Sequence, residues 1–279
     1  IMLPDSGHIQ ENEVEWKNRK RRREGLSELP PLYTAEEAIK CMEVFHPVKY
    51  DEIIEISDKI KVRFNDAGHM LGSSIIEIWV TENDKTEKVV FTGDLGNNDI
   101  PLLDAPTMIE NADYLVMEST YGNRLHIRND DKAELFLDIV SETLDKGGNV
   151  VIPSFAVGRT QEILYELNKL KERNKDNEEF KRKYQKLMDS QVFVDSPLAI
   201  SATEVFRENM DLFDEEVRKE IASGDNPLEF PGLQFTRTAD ESKALNETAH
   251  TSIIISASGM CEVGRIKHHL KHNLWNPIN

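Results

Sequence analysis

The two stretches Gly68-His69-Met70-Leu71-Gly72-Ser73 and Phe91-Thr92-Gly93-Asp94 decide the fold class of this chain. Each follows a run rich in β-branched and aromatic residues, which is typical of a strand. Glycines beside the histidine and the aspartate permit sharp turns, so both side chains are expected at one edge of a sheet. An imidazole and a carboxylate are ligand types that zinc and related metals prefer. The pattern therefore predicts part of a metal site at two strand ends.

Short strands are predicted on both sides of these stretches, from about residue 52 to residue 117. Their alternating apolar residues place them at Ile60–Phe64, Ser74–Val80, Val89–Thr92 and Tyr114–Met117. Asn83-Asp84 supplies the residues of a turn. Before this region, Thr34 and Glu37 have capping-box spacing, which predicts a helix that continues to Pro47.

Strands and helices alternate after Tyr121-Gly122, which predicts a parallel sheet with helices on both faces. The predicted strands are 149–152, 191–195 and 252–256, and the predicted helices are 131–144, 158–173, 202–221 and 264–274. The charged stretch 169–186 is expected to be loop-like. The loops 153–155, 195–197 and 256–259 follow the strands and are expected to line one crevice.

Composition and charge limit the function classes. The formal net charge of −17 opposes nonspecific adhesion of the whole surface to nucleic acid. A basic cluster at Lys17–Arg23 is interpreted chiefly as a solvated face balanced by nearby glutamates, with phosphate contact as the alternative. Two cysteines cannot form a disulfide framework, and no targeting or membrane-spanning segment is apparent, which favours a cytoplasmic location.

Two further groups of polar residues are candidate site residues. Glu118 ends an apolar strand, where a carboxylate is costly to bury without a partner, and we expect that partner to be a metal-binding histidine. His268, His269 and His272 form a cluster, in which His268 and His272 have the i, i+4 spacing of a metal pair. The stretch lacks the glutamate of an H-E-x-x-H site and contains two lysines. A surface helix is the favoured interpretation there.

The order of the motifs resembles the β-CASP branch of the metallo-β-lactamase superfamily, which includes ribonuclease J and the nuclease subunit of the pre-mRNA cleavage machinery. The resemblance runs from end to end and rests on G-H-M-L-G-S, F-T-G-D-L-G, E-S-T-Y-G-N-R-L-H, P-S-F-A-V-G-R-T-Q-E, D-S-P-L-A and S-A-S-G-M. It implies an α/β fold: part of a metallo-β-lactamase αββα sandwich over residues 1–122 and a β-CASP domain with a parallel, Rossmann-like sheet over 123–279.

The resemblance also implies roles for particular residues. His69 matches a metal-binding histidine, and Asp94 matches the aspartate that bridges two zinc ions and takes part in catalysis. Glu118 matches an acidic residue that orients a metal-binding or catalytic histidine. The remaining matches, which by similarity face the path of the RNA, are Ser154, Arg159, Ser196 and Ser258.

One family motif is absent from these residues. H-x-H-x-D-H, which supplies most metal ligands in the family, does not occur in the sequence. By resemblance it is expected upstream of Ile1, and further histidines are expected beyond Asn279. We therefore expect an internal piece of a longer protein, which binds zinc weakly, is inactive alone, and exposes apolar sheet surface that promotes association.

The function implied by the resemblance is a zinc-dependent ribonuclease that binds single-stranded RNA through backbone phosphates. Two alternatives stay open: a noncatalytic RNA-processing scaffold, and a metallohydrolase that acts on DNA or small molecules. The sequence leaves the choice between endonuclease and exonuclease activity open, as well as the oligomeric state, for which a homodimer is one outcome.

Overall fold

The computed structural model describes residues 1–98, 100–125, 132–247 and 251–275, and the chain divides into two compact units, Ile1–Val48 and Lys49–Asn279. The first unit contains the helices α1 (Met2–Arg23) and α2 (Ala35–Met42). The predicted capping box is confirmed, because Glu37 N donates to Thr34 Oγ1 and Thr34 N donates to the Glu37 carboxylate. Helix α2 ends at Met42, five residues before Pro47, so the prediction of its end was wrong.

A five-stranded sheet with the order β1-β2-β3-β4-β5 begins the second unit. Its first four strands pair antiparallel and β5 pairs parallel to β4. The strands are β1 (Ile53–Ser57), β2 (Ile60–Asp66), β3 (Ser74–Glu82), β4 (Lys85–Phe91) and β5 (Tyr114–Val116). The predicted turn between β3 and β4 is confirmed, since Asn83 and Asp84 have φ of 50° and 60°. Strand β1 was not predicted.

A four-stranded parallel sheet with the order β6-β9-β7-β8 follows, as the alternation of strands and helices predicts. Its strands are β6 (Val150–Pro153), β7 (Gln191–Val194), β8 (Leu233–Phe235) and β9 (Ser252–Ser256). All five residues of β9 are buried, which is typical of a central parallel strand. The predicted α/β fold class is confirmed.

The helices of this half differ from the prediction in two places. Residues 202–221 were expected to form one helix, but they divide between two, because Asp214 caps a new helix by accepting from Val217 N at 2.8 Å. The stretch 169–186 was expected to be loop-like, but it is mostly helical. The helices are α3 (Lys132–Asp145), α4 (Arg159–Arg173), α5 (Glu178–Lys183), α6 (Gln185–Asp189), α7 (Pro197–Glu208), α8 (Glu215–Ala222), α9 (Ala239–Ala244) and α10 (Ile266–Asn273).

The main core surrounds the parallel sheet, and residues from the first sheet's connections join it. Leu102 and Leu103 are buried in this core, and Leu71 packs against it. Both sheets therefore share one compact unit. The domain boundary expected after residue 122 falls between the two sheets and remains a prediction. Asp131, the expected start of α3, lies outside the described residues.

Candidate functional site

The connection between β2 and β3 holds His69 in a tight, internally hydrogen-bonded turn. Ser73 Oγ accepts hydrogen bonds from the backbone N–H groups of His69 and Met70, both at 3.2 Å. Gly68 N donates to Asp66 Oδ1 at 2.7 Å, and Gly68 has a φ of 59° that favours glycine. These contacts fix the backbone of the turn and therefore the position from which the His69 side chain extends.

The segment after β4 carries Asp94 and lies directly against the His69 turn. Gly96 N donates to Ala67 O at 2.9 Å. A Cβ atom at position 96 would lie 1.6 Å from Gly68 O, so only glycine permits this approach of the two backbones. Gly96 is the last residue of the F-T-G-D-L-G stretch, but its role could not be predicted because the contact is nonlocal.

The structure brings His69 and Asp94 together, as the strand-end pattern predicted. The His69 Nε2 and Asp94 Oδ2 atoms are 3.9 Å apart, and the two side chains are 36% and 75% exposed. Two ligand atoms about 2.1 Å from a tetrahedral zinc ion lie roughly 3.4 Å apart. A small rotation of the exposed aspartate therefore brings the pair to the spacing of two ligands of one ion.

Glu118 joins this pair from the end of β5. Its Oε1 accepts a hydrogen bond from Leu95 N at 2.8 Å, and its own N–H donates to Thr92 Oγ1 at 3.3 Å. Hydrogen bonds from Thr120 and Leu95 lower the pKa of the Glu118 carboxyl, and the charge of His69 contributes in the same direction. Glu118 is therefore a charged acceptor, tied to the segment that carries Asp94.

The three loops after β6, β7 and β9 meet at one edge of the parallel sheet, as predicted. Ser154 N donates to Ser256 O at 3.0 Å, and Ser256 Oγ donates to Asp195 O at 2.8 Å. Ser154 is buried and accepts a hydrogen bond from Thr160 Oγ1. Ser196 is also buried and caps α7 by accepting from Ala199 N. In this structure both hydroxyls serve the fold, so neither presents a surface to RNA.

Arg159 and Ser258 remain accessible at this edge. Arg159 is 63% exposed, and its Nη1 donates to Glu162 Oε2 at 2.6 Å. Ser258 is partly exposed, and its hydroxyl lies 3.3 Å from Val263 O. Of the four residues predicted to face RNA, these two have the exposure that the prediction needs.

The edge of the parallel sheet lies beside the His69 turn. A Cβ placed on Gly158 would lie 3.7 Å from Met70 Cβ. Burial raises the pKa of Glu162, while the charges of Arg159 and His69 oppose that increase. The first turn of α4 therefore adjoins the candidate metal ligands.

A buried polar network that was not predicted lies beneath this edge. His269 was expected on a surface helix, but it is completely buried, and its Nε2 lies 2.6 Å from Asp195 Oδ2. Arg265 Nη1 also donates to Asp195 at 2.6 Å, and Thr236 and Ser242 add hydroxyl donors. Burial favours a raised pKa for the Asp195 carboxyl, but these hydrogen bonds outweigh it and lower the pKa. The network ties α10 to the end of β7, so the surface-helix prediction was wrong for His269.

The basic cluster of α1 is largely neutralised within its own unit. Arg22 pairs with Glu15 and Glu28, at 2.7 and 2.8 Å. Arg19 also contacts Glu15 at 3.3 Å. These pairs support the interpretation of a balanced, solvated helix face.

The fit of these residues to a metal ion depends on the number of ligands that they provide. Across residues 1–98, 100–125, 132–247 and 251–275, no group of three or more His, Cys, Asp or Glu side chains is arranged to hold one. A catalytic zinc ion takes three protein ligands. His69 and Asp94 therefore fit as two ligands of a site that needs others.

A comparison with family models finds a Beta-Casp domain over residues 160–279. Residues 160–279 therefore form a β-CASP domain. The matched segment begins at the first turn of α4 and includes the Asp195 network. The parallel sheet beside the His69 turn is thus largely the β-CASP part of the chain.

Three curated proteins similar to this chain are named as two ribonuclease-type proteins and one transcription termination factor. The chain is 33% identical over 249 residues to "Ribonuclease TTHA0252" of Thermus thermophilus, and the match covers 89% of this chain and 54% of that protein. It is 32% identical to an "RNase J-like protein" of Methanocaldococcus jannaschii, and that match covers 87% of this chain and 53% of that protein. It is 30% identical to "Transcription termination factor FttA" of the same organism, and that match covers 86% of this chain and 36% of that protein. The chain thus spans about half or less of the length of these relatives.

Proposed function

We propose that the natural protein is a zinc-dependent ribonuclease that acts in RNA processing or decay. The observation that carries this proposal is the His69–Asp94 pair, with its ligand atoms 3.9 Å apart beside the first turn of the β-CASP helix α4. Two relatives carry the word ribonuclease or RNase in their names, which supports RNA as the substrate class.

Each residue of the pair has a role in this proposal. His69 and Asp94 would be ligands of the zinc ions, His69 through its imidazole and Asp94 through its carboxylate. Bound zinc ions supply Lewis acidity for hydrolysis of the RNA phosphodiester. Glu118, which Leu95 N–H holds in place, accepts the outer N–H of a further histidine ligand of the natural protein.

The β-CASP edge supplies the contacts to RNA. Arg159 is exposed at the first turn of α4 and offers a cation to a backbone phosphate, while Ser258 offers a hydroxyl. Contacts of this type position a strand without reading its bases. We therefore propose single-stranded RNA as the substrate, held between the metallo-β-lactamase part and the β-CASP part of the second unit.

Cleavage assays on the natural full-length protein test this proposal. We expect zinc-dependent cleavage of a labelled single-stranded RNA, loss of cleavage with a chelator, and recovery on addition of zinc. The 279-residue chain alone, with two ligands, should bind zinc weakly and cleave no RNA. Preferential cleavage of a matched DNA strand would favour the DNA hydrolase instead.

A noncatalytic role in RNA processing is the second candidate. It is favoured by the relative named as a transcription termination factor. Full-length protein that binds RNA, contains no zinc and cleaves nothing would support it. Stoichiometric zinc with chelator-sensitive cleavage would contradict it.

The last part of the proposal concerns the cellular location of the protein. Both cysteines, Cys41 and Cys261, are free. No helix among the described residues combines the length and apolar character needed to cross a membrane. We propose a cytoplasmic location, which fractionation of cells that express the tagged natural protein would test.

A further inference from the structure

Phe155 is an exposed aromatic residue at the carboxyl edge of the parallel sheet. It follows β6 closely along the chain, and 55% of its surface is accessible. The neighbouring residues Ser154 and Ala156 are buried in the same loop. The chain therefore presents a large apolar ring at a position flanked by buried residues.

The backbone of Phe155 is held firmly. Its carbonyl oxygen accepts a hydrogen bond from Thr160 Oγ1 at 2.7 Å and another from Thr160 N at 3.2 Å. Both donors belong to the first turn of α4, so the loop closes onto the helix that it precedes. A ring on a fixed backbone loses little conformational freedom when it binds a partner.

One part of the ring rests on a glycine of the neighbouring loop. A Cβ placed on Gly259 would lie 3.3 and 3.4 Å from Phe155 Cδ2 and Cε2, and 3.2 Å from Phe155 N. An added Cβ at position 259 would make a tight contact, and Phe155 would have to shift by a few tenths of an ångström. The glycine supports the ring on one side while the rest of the ring faces solvent.

The surroundings of Phe155 favour a nucleobase as the partner. Arg159, in the first turn of α4, is 63% exposed, and a phosphate could contact its guanidinium beside the ion pair that Nη1 forms with Glu162. The same loop ends at Gly158, whose Cβ position is 3.7 Å from Met70 Cβ, beside His69. An exposed aromatic ring next to a cation is the combination that binds single-stranded nucleic acid through stacking and phosphate contact.

We propose that Phe155, in a loop whose Gly158 adjoins the His69 turn, is a stacking platform for one nucleobase of single-stranded RNA, supported by Gly259. This inference rests on the proposed function and names a subsite of it. Stacking uses the π-face that every base has, so the subsite accepts any base. Phe155 positions the strand and takes no part in the chemical step.

The test measures RNA binding and cleavage by the natural full-length protein separately. Binding of short single-stranded RNAs is followed by fluorescence anisotropy in the presence of chelator, for wild type and Phe155→Ala. Each RNA carries one abasic nucleotide, which moves by one position from RNA to RNA. Ile139→Ala is the matched control, because Ile139 is also apolar and 55% exposed and lies on α3.

The expected result is a coupling between one base and one side chain. In the wild type, removal of the base at one position should weaken binding on the order of 10-fold, the range measured for base–aromatic stacking. Phe155→Ala should weaken binding of the intact RNA by a similar factor and lose all further sensitivity at that position. Phe155→Trp should keep the sensitivity, Gly259→Ala should reduce it, and Ile139→Ala should match wild type.

Two outcomes would overturn the inference. Equal sensitivity to every abasic position in wild type and Phe155→Ala would exclude the platform, as would unchanged RNA affinity in Phe155→Ala. The ribonuclease proposal fails on a different measurement, the absence of zinc-dependent cleavage by the wild type. A protein that shows this coupling in RNA binding but does not cleave RNA would support the stacking platform and contradict the ribonuclease proposal.

Discussion

Gly96 and Gly68 are in backbone contact, since a Cβ on Gly96 would lie 1.6 Å from Gly68 O and 2.2 Å from its carbonyl carbon. The hydrogen bond from Gly96 N to Ala67 O, at 2.9 Å, closes the same contact. This contact lies between the turn that carries His69 and the segment that carries Asp94. The distance between the two candidate ligands therefore depends on two glycines.

Gly96→Ala should separate the two loops and destabilise the chain. The new methyl group overlaps backbone atoms, which cannot rotate away, so we expect a loss of about 3 kcal/mol or more in the free energy of unfolding. Urea unfolding of the 279-residue chain measures it. Gly122→Ala is the control, because the nearest atom to its Cβ position is 3.2 Å away and a small shift accommodates it. A Gly96→Ala chain as stable as wild type would refute the contact.

Glu118→Gln should weaken zinc binding in the natural full-length protein without unfolding it. The amide keeps an oxygen for Leu95 N–H but loses the charge that supports a histidine ligand. Loss of such an outer partner typically costs roughly 10- to 100-fold in metal affinity, so we expect a decrease of that size. Competition with a zinc chelator measures it, with Glu110→Gln as an exposed control. Unchanged zinc affinity would remove Glu118 from the site.

Glu77 should make the chain sensitive to acid. Its carboxylate is fully buried, and Arg63 and Lys88 contact it, with Asn65 donating at 3.0 Å. Burial alone would raise the pKa of Glu77, but these hydrogen bonds lower it from 4.5 to about 2. The stabilisation is thus present above pH 4.5 and is lost as the pH falls toward 2.

The size of this effect follows from the lowered pKa. A fall from 4.5 to about 2 corresponds to on the order of 3 kcal/mol of stability. Between about pH 5 and pH 2, the free energy of unfolding measured by urea titration should fall by this amount more in wild type than in Glu77→Gln. Glu82→Gln, on the exposed end of the same strand β3, should follow wild type. Parallel stability profiles for wild type and Glu77→Gln would contradict the assignment.

The five-stranded sheet exposes an apolar face that should promote association of the 279-residue chain. Ile76, Phe91 and Val116 are register partners across β3, β4 and β5, so their side chains lie on one face. Val116 is 53% exposed and Phe91 is 40% exposed. Apolar surface of this kind is typical of an interaction site.

Sedimentation velocity over a range of concentrations tests this association. Val116→Lys should shift the chain toward monomer. Leu115→Lys is the matched control, because Leu115 is 56% exposed on the same strand but points to the opposite face. A wild-type chain that stays monomeric at all concentrations would contradict the prediction.

Local patterns predicted much of the fold. The capping box at Thr34, the turn at Asn83-Asp84 and the strand Ser252–Ser256 each depend on residues close together in the sequence, and each is present. The start of a new helix after Asp214 was not predicted, because the apolar pattern continues across this N-cap as it would in one long helix. The helices at 178–189 were not predicted, because their many charged residues are typical of a solvated loop. The structure shows that Leu187 in this segment packs into the main core.

Some residues of the candidate site could likewise be predicted from local sequence, and others could not. His69, Asp94 and Glu118 could be predicted as a group, since glycines and strand ends mark them in the sequence. The Asp195–His269 pair joins residues 74 positions apart, and no local pattern identifies it. Likewise, Ser154 and Ser196 fall in the predicted loops, but only the three-dimensional packing shows that both are buried.

The rate of zinc-dependent RNA cleavage by the natural full-length protein, compared among three variants, tests the central claim most directly. His69→Ala and Asp94→Asn should each reduce the rate by more than about 100-fold, because they remove metal ligands rather than outer partners. Asp84→Asn, the same chemical change in an exposed turn, should cleave at the wild-type rate. Wild-type rates in His69→Ala and Asp94→Asn would contradict the claim that this pair holds the catalytic metal.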